Sequence, residues 1–213
     1  MRFDLQVIAS WIEPGARVLD LGCRTGSLLD HLRREKHIRG TGIEIDEQAA
    51  GEAIAKGLSV IHGDIYEEIE DYPDNAFDHV ILSQTLQQVH DPARLIREML
   101  RVGTRCIVSF PNFTHIGNRM QMFFTGRAPV SRELPYQWYD TPNIRVIPIT
   151  DFRRFCRDIG VPIVREVAIS THHHDTRGRV ITFLPNLLAT FGIFMLGSPG
   201  QGSGPEVSKP DGS

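Results

Sequence analysis

The stretch Ala16-Arg-Val-Leu-Asp-Leu-Gly-Cys-Arg-Thr-Gly26, followed at residues 40 to 46 by Gly-Thr-Gly-Ile-Glu-Ile-Asp, admits few folds. It reads as a short apolar strand, a glycine turn, a helix and a second strand, with an acidic side chain at the tip of each strand. Asp20 ends the first strand, Gly22 lets the backbone turn close to a ligand, and Gly26 lets the next helix start near the sheet. Glu44 follows at about the 20-residue spacing at which an acid accepts hydrogen bonds from ribose hydroxyls. Asp64, after His62-Gly63, ends a third strand beside these two. The pattern predicts a pocket for an adenosine-bearing cofactor, outside the carboxyl ends of parallel strands. One residue departs from it, because Arg24 stands between Gly22 and Gly26 where a third glycine is expected.

The rest of the chain supports a doubly wound α/β architecture. Apolar runs alternate with helical patterns: Arg17 to Leu21 then Ser27 to Glu35, Thr41 to Ile45 then Glu47 to Lys56, Leu58 to His62, Phe77 to Ser83 then Pro92 to Arg101, and Arg105 to Phe110. Such alternation implies a mostly parallel sheet with helices on both faces. Val80-Ile81-Leu82 and Cys106-Ile107-Val108 are apolar without alternation, as strands covered on both sides are. A lid or edge helix is expected at Phe3 to Ile12, and one at Thr150 to Ile159 with Thr150-Asp151 as its cap. A strand from Ile163 to Ile169 and another from Val180 to Leu184 suggest an antiparallel hairpin at the sheet edge.

Residues 180–197 carry no charge and approach the ~20 residues that span a bilayer. Pro185-Asn186 breaks the run, which therefore reads as a strand followed by a buried apolar helix at 187–196, with no membrane segment. Residues 112–148, which follow Pro111, hold four more prolines with aromatic residues between them and read as a lid or insertion over the strand tips, with a short helix at His115 to Phe124. Tyr136, Trp138 and Tyr139 fit a packed lid or a partner-binding surface. The expected organisation is one domain over residues 1–196 and a disordered tail rich in Gly, Ser and Pro at 197–213.

A net charge of −3 over 213 residues provides no electrostatic footprint for nucleic acid. Cys23, Cys106 and Cys156 are far apart and imply neither a disulfide framework nor a zinc site. With no apolar signal-like run at the start, the expected location is the cytoplasm. His172-His173-His174 is weak as a metal site, because on an extended segment only alternate side chains share a face. No metal is expected.

Counted from Gly22, the dinucleotide fingerprint would place glycines at Arg24 and Ser27, so a nicotinamide cofactor is disfavoured. A carboxylate at Asp20 suits a ligand with an ammonium and a sulfonium, which points to S-adenosylmethionine. The front half resembles class I methyltransferases. More narrowly, from Trp11 to about Leu196, the chain is similar to the MetW family of methionine biosynthesis. The marks are Val18-Leu-Asp-Leu-Gly-Cys23, Gly42-Ile-Glu-Ile-Asp46, Ser83-Gln-Thr-Leu-Gln87, Phe110-Pro-Asn-Phe113 and Leu134-Pro-Tyr-Gln-Trp-Tyr-Asp-Thr-Pro-Asn-Ile144.

The resemblance implies a Rossmann-like class I methyltransferase fold. It also implies a site for S-adenosylmethionine or S-adenosylhomocysteine formed by Asp20, Gly22, Cys23, Gly26, Glu44, Ile45, Asp64, Ile65, Ser83 and Gln84. The implied partner is homoserine O-acyltransferase, MetX, which such proteins support as accessories. Arg24 replaces the family's usual glycine and either clashes with the cofactor or pairs with its carboxylate. The loop Ser83-Gln84-Thr85-Leu86 lacks the Asn/Asp-Pro-Pro-aromatic motif of amino-group methyltransferases, Gln84 and Gln87 cannot act as bases, and Asp91 with Pro92 reads as a helix start beside His90. Accessory protein and small-molecule methyltransferase both remain open at this point, with the catalytic residues unknown.

Overall fold

The computed structural model of the protein describes residues 1–172 and 175–197. In chain order the elements are α1 (Phe3–Ser10), β1 (Arg17–Leu21), α2 (Ser27–Lys36), β2 (Arg39–Glu44), α3 (Glu47–Ala55), β3 (Ser59–His62), α4 (Ile65–Glu68), β4 (Phe77–Ser83), α5 (Pro92–Val102), β5 (Gly103–Pro111), α6 (Ile116–Thr125), α7 (Ile149–Asp158), β6 (Ile163–Ser170), β7 (Arg179–Val180), α8 (Pro185–Leu188) and β8 (Phe191–Gly197). A single 3-10 turn at Leu86–Gln88 follows β4. The strands form one sheet in the order β3-β2-β1-β4-β5-β8-β6-β7. From β3 to β5 all pairs are parallel. Beyond β5 all are antiparallel. Successive connections run one way from β1 to β2 and the other way to β4, so the β1/β4 boundary is the switch point where an open sheet leaves a crevice.

Both faces are covered, and the pleat divides the strands between two cores. Cys106, Val108 and Phe110 of β5 pack with α5 and α7, whereas Ile107 packs with α1 and α2. Local chemistry sets the helix ends. The Asp91 carboxylate accepts from Arg94 N at 3.0 Å, with Pro92 in the first turn of α5. Lys36 closes the end of α1 by donating to Ala9 O at 2.6 Å and to Ile12 O.

The largest correction lies in the charge-free run. Residues 187–196 are expected to be a helix, but α8 stops at Leu188 and Phe191–Gly197 is a wholly buried strand between β5 and β6. Phe194 and Leu196 face one core and Phe191, Ile193 and Met195 the other. An apolar run with no polar face satisfies an internal strand as well as a buried helix, so its period cannot separate them. Phe194 closes a ring cluster with Phe110 and Phe152, at centroid distances of 5.6 and 4.7 Å.

Smaller differences have equally local causes. The edge hairpin is present as β6–β7, but β7 is only two residues long; Ile181 N still bonds Ala168 O at 2.8 Å before the chain leaves the edge. Helix α7 begins at Ile149 with Pro148 as cap, and Thr150 N is taken by Asn186 Oδ1 at 3.2 Å, so Thr150-Asp151 is not the cap. Of the tail expected at 197–213, Gly197 is the last residue of β8, while 198–213, like residues 173 and 174, lie outside the described residues. No helix among the described residues is long and apolar enough to cross a membrane.

Candidate functional site

The turn after β1 is built from three left-handed residues, Gly22 (φ 72°), Arg24 (φ 49°) and Gly26 (φ 71°). A Cβ at Gly22 would sit 2.8 Å from Thr85 Oγ1, and one at Gly26 would collide with Leu58. Gly22 N and Cys23 N donate to Ile43 O at 2.8 and 3.1 Å, which ties the turn to β2. Arg24 holds its conformation because Glu44 Oε2 accepts its backbone N–H at 2.7 Å, while Glu44 Oε1 accepts from Asp46 N at 2.9 Å. Each carboxylate oxygen retains a lone pair that a ligand hydroxyl can use. A non-glycine residue in this region costs on the order of 1 kcal/mol.

Asp20 lies beneath this turn, 3% exposed. Burial first, and the neighbouring Glu44 charge second, push its carboxyl up to about 7 from an ordinary 3.8, with Arg2 opposing. A buried acid poised near neutrality is a receptor for a cation, whose arrival favours the ionised form. The Cys23 thiol is driven far up by burial and by Asp20, so it is no nucleophile.

A cleft of ≈ 160 Å³ opens above these groups, lined by Asp20, Gly22, Cys23 and Ser83 of the expected residues and by Arg2, Leu5 and Arg24 among others. Gly26 caps α2 at its edge. Ile45 stands at the tip of β2, 66% exposed, an apolar platform at the end of a strand where a loop residue would ordinarily be polar. Asp64 lies beyond β3 as the cap of α4, accepting from Tyr66 N at 2.7 Å, and Ile65 opens that helix half-buried.

Gln84 is oriented differently. Its side-chain amide donates to Asp4 Oδ2 at 2.6 Å, and its backbone is left-handed, φ 55°, with N–H donated to Ser109 O at 2.8 Å. Gln87 is also a brace: its Nε2 donates to Gln84 O at 2.7 Å, and its own carbonyl accepts from Ile144 N and Arg145 N at 2.9 and 3.1 Å. Arg2 and Leu5 have no counterpart among the expected site residues. They are far from the motif in sequence, and only the packing of α1 on α2 and β8 carries them to the cleft.

A larger depression, ≈ 580 Å³, lies on the 112–148 insertion, between Gln121, Arg127, Val130 and Trp138. It holds no buried polar group. On the same insertion Phe123, Phe124, Trp138 and Tyr139 are 80%, 72%, 75% and 70% exposed. Among the described residues no group of three or more His, Cys, Asp or Glu side chains is arranged to hold a metal. His172 Nδ1 instead meets Glu133 Oε1 at 3.0 Å.

Comparison with known proteins adds to this geometry. Residues 2–196 match the family model described as methionine biosynthesis protein MetW. The bifunctional methionine biosynthesis protein MetXA/MetW of Rhodopirellula baltica is 35% identical over 176 residues, which is 78% of this chain. The match spans only 28% of that longer relative. Demethylmenaquinone methyltransferase of Listeria welshimeri is 29% identical over 180 residues, 75% of each chain. Among solved structures, an S-adenosylmethionine-dependent methyltransferase of Thermotoga maritima, described as a possible histamine N-methyltransferase, superposes with a TM-score of 0.67. It is 19% identical, with 92% of this chain and 87% of that one covered, and so shows a shared class I methyltransferase fold.

Proposed function

The chain belongs to the methionine biosynthesis protein MetW family, and from that premise we propose that it is a cytoplasmic accessory of methionine biosynthesis that supports homoserine O-acyltransferase, MetX. The observation that carries this reading is the relative whose printed name joins MetXA and MetW in one polypeptide. Covalent joining raises the effective concentration of one module at the other, which is useful when the two act together. A separate chain needs a docking surface instead. The exposed Phe123, Phe124, Trp138 and Tyr139 have the composition of interface hot spots. In this reading residues 1–196 act as one domain, with 112–148 as its partner-facing insertion.

The cleft is assigned to S-adenosylmethionine or S-adenosylhomocysteine. The residues fit: Asp20 offers a buried carboxylate to the ammonium, and the Gly22 to Gly26 turn leaves room for close approach. Glu44 has lone pairs for ribose hydroxyls, Ile45 and Ile65 flank the base, and Asp64 takes its amino group. Cys23 and Ser83 border the methionine end. Because this cofactor is made from the pathway's product, its binding serves as feedback if the active and inactive assemblies bind it with different affinity.

The test is co-purification of the two proteins and a titration of acyltransferase activity with this chain, with and without S-adenosylmethionine. Activity that stays constant across the titration counts against an accessory role. A second reading, a small-molecule methyltransferase, is favoured by the cleft's extension to Ser83. Transfer of a labelled methyl group to a metabolite pool, with Asp20→Ala as blank, distinguishes it.

A further inference from the structure

The cleft contains two cations of very different character. Arg24 is exposed at the tip of the turn, and its guanidinium has no hydrogen bond among the described residues. Arg2 is oriented. Its Nε and Nη2 donate to Asp4 Oδ1 and Oδ2 at 3.1 and 2.9 Å, a bidentate pair, and Asp4 is only 2% exposed. A buried carboxylate of this kind fixes a guanidinium fork far better than a surface partner does. Gln84 Nε2 secures Asp4 from behind at 2.6 Å, from a left-handed residue in the loop that borders the cleft. The pair occupies two of the five guanidinium N–H donors, and the side chain keeps 25% exposure, so donors remain for a ligand. Arg2 also lines the same cleft as Asp20 and acts on its charge.

An amino-acid group is a zwitterion. Asp20 meets its ammonium, and a fixed cation within the same cleft gives the carboxylate beside that ammonium its strongest hydrogen-bond partner.

We propose that Arg2 is the carboxylate-binding residue of the cleft, with Asp4 and Gln84 as positioning residues, so that the cleft selects adenosyl ligands carrying an amino-acid carboxylate. This rests on the reading of the cleft as an adenosyl cofactor site. It also changes the part played by Gln84, which acts through Asp4 and Arg2 without touching the ligand.

The experiment is calorimetric titration of the full chain with S-adenosylhomocysteine and with S-adenosyl-3-thiopropylamine, which keeps the ammonium and lacks only the carboxylate. Wild type binds the first more tightly. Arg2→Ala weakens S-adenosylhomocysteine on the order of 10- to 100-fold, as loss of a charged hydrogen bond does, and moves the decarboxylated ligand far less, by no more than the change in the Asp20 charge. Gln84→Leu gives a smaller loss with the same selectivity, and Arg24→Gly leaves the ratio of affinities where it was. If Arg2→Ala fails to fold because Asp4 loses its partner, Arg2→Lys must still narrow the ratio, since a point charge cannot keep both contacts. Equal binding of the two ligands by wild type, or equal loss of both in the Arg2 variants, overturns the subsite and leaves the cofactor site standing. Binding of neither by wild type overturns both.

Discussion

The two ends of the sheet use their side chains in opposite ways. On the parallel side, strands β1 and β2 deliver acids to the tips, and the glycine turn clears space above them, so polar groups converge on one cleft. On the antiparallel side, β5 and β8 bury the rings of Phe110, Phe191 and Phe194, while the insertion that leaves β5 turns Phe123, Phe124, Trp138 and Tyr139 to solvent. One side gathers buried charge and the other presents exposed apolar surface. The difference teaches that aromatic content alone says nothing about burial: Phe194 and Phe124 are the same residue type, one a core wedge and the other exposed to solvent.

The largest effect should come from testing that contrast. Phe194→Ala removes a ring stacked on Phe110 and is expected to cost about 3–5 kcal/mol, with a fall in Tm on the order of 10 °C. Phe124→Ala is expected to stay within about 0.5 kcal/mol while weakening association with the acyltransferase. Denaturation of both variants checks the pair, and equal losses would show the insertion to be packed.

The second test concerns charge in the cleft. Asp20 has a folded pKa of about 7 against 3.8 for the free group, so folding takes up a proton between those values. The empty protein therefore has this contribution in full below 3.8 and loses it as pH rises through 7. A cationic ligand reverses the sign, because it must displace that proton. Affinity for S-adenosylhomocysteine should rise with pH between about 5.5 and 7, by at most about tenfold per unit, then level off. Asp20→Asn should abolish the slope; a slope that survives would assign it to another group.

The smallest effect is expected at Arg24. Arg24→Gly relieves on the order of 1 kcal/mol of left-handed strain, but glycine stabilises the unfolded chain by a similar amount, so net stability should move by less than about 0.5 kcal/mol. Glu44 holds the backbone N–H of residue 24, and glycine keeps that bond. Ligand affinity should therefore change less than about tenfold, read by calorimetry. A wild type silent at millimolar ligand beside a binding Arg24→Gly variant would make the side chain an obstruction.

The parallel half was legible because its information is local. Val18 to Leu21 and Val80 to Leu82 are short apolar runs bounded by turn residues, and Asp20, Gly22 and Glu44 sit where those runs end. Asp91 at the start of α5 is equally local, since cap and capped amide lie three residues apart. The turn was readable even at Arg24, because a strand followed closely by a glycine-framed turn and a helix has few backbone solutions.

What the sequence alone determined is thus the class of fold, the family, and the acids and glycines of the turn. The tertiary structure decided three things: that Phe191–Gly197 is a strand inserted between β5 and β6, that Arg2 reaches the cleft, and that Gln84 faces Asp4. The physical reason is the same in each case. A run that is apolar on every side, or a polar side chain with several possible partners, gains its free energy from groups distant in sequence, and only their arrangement in space selects the conformation.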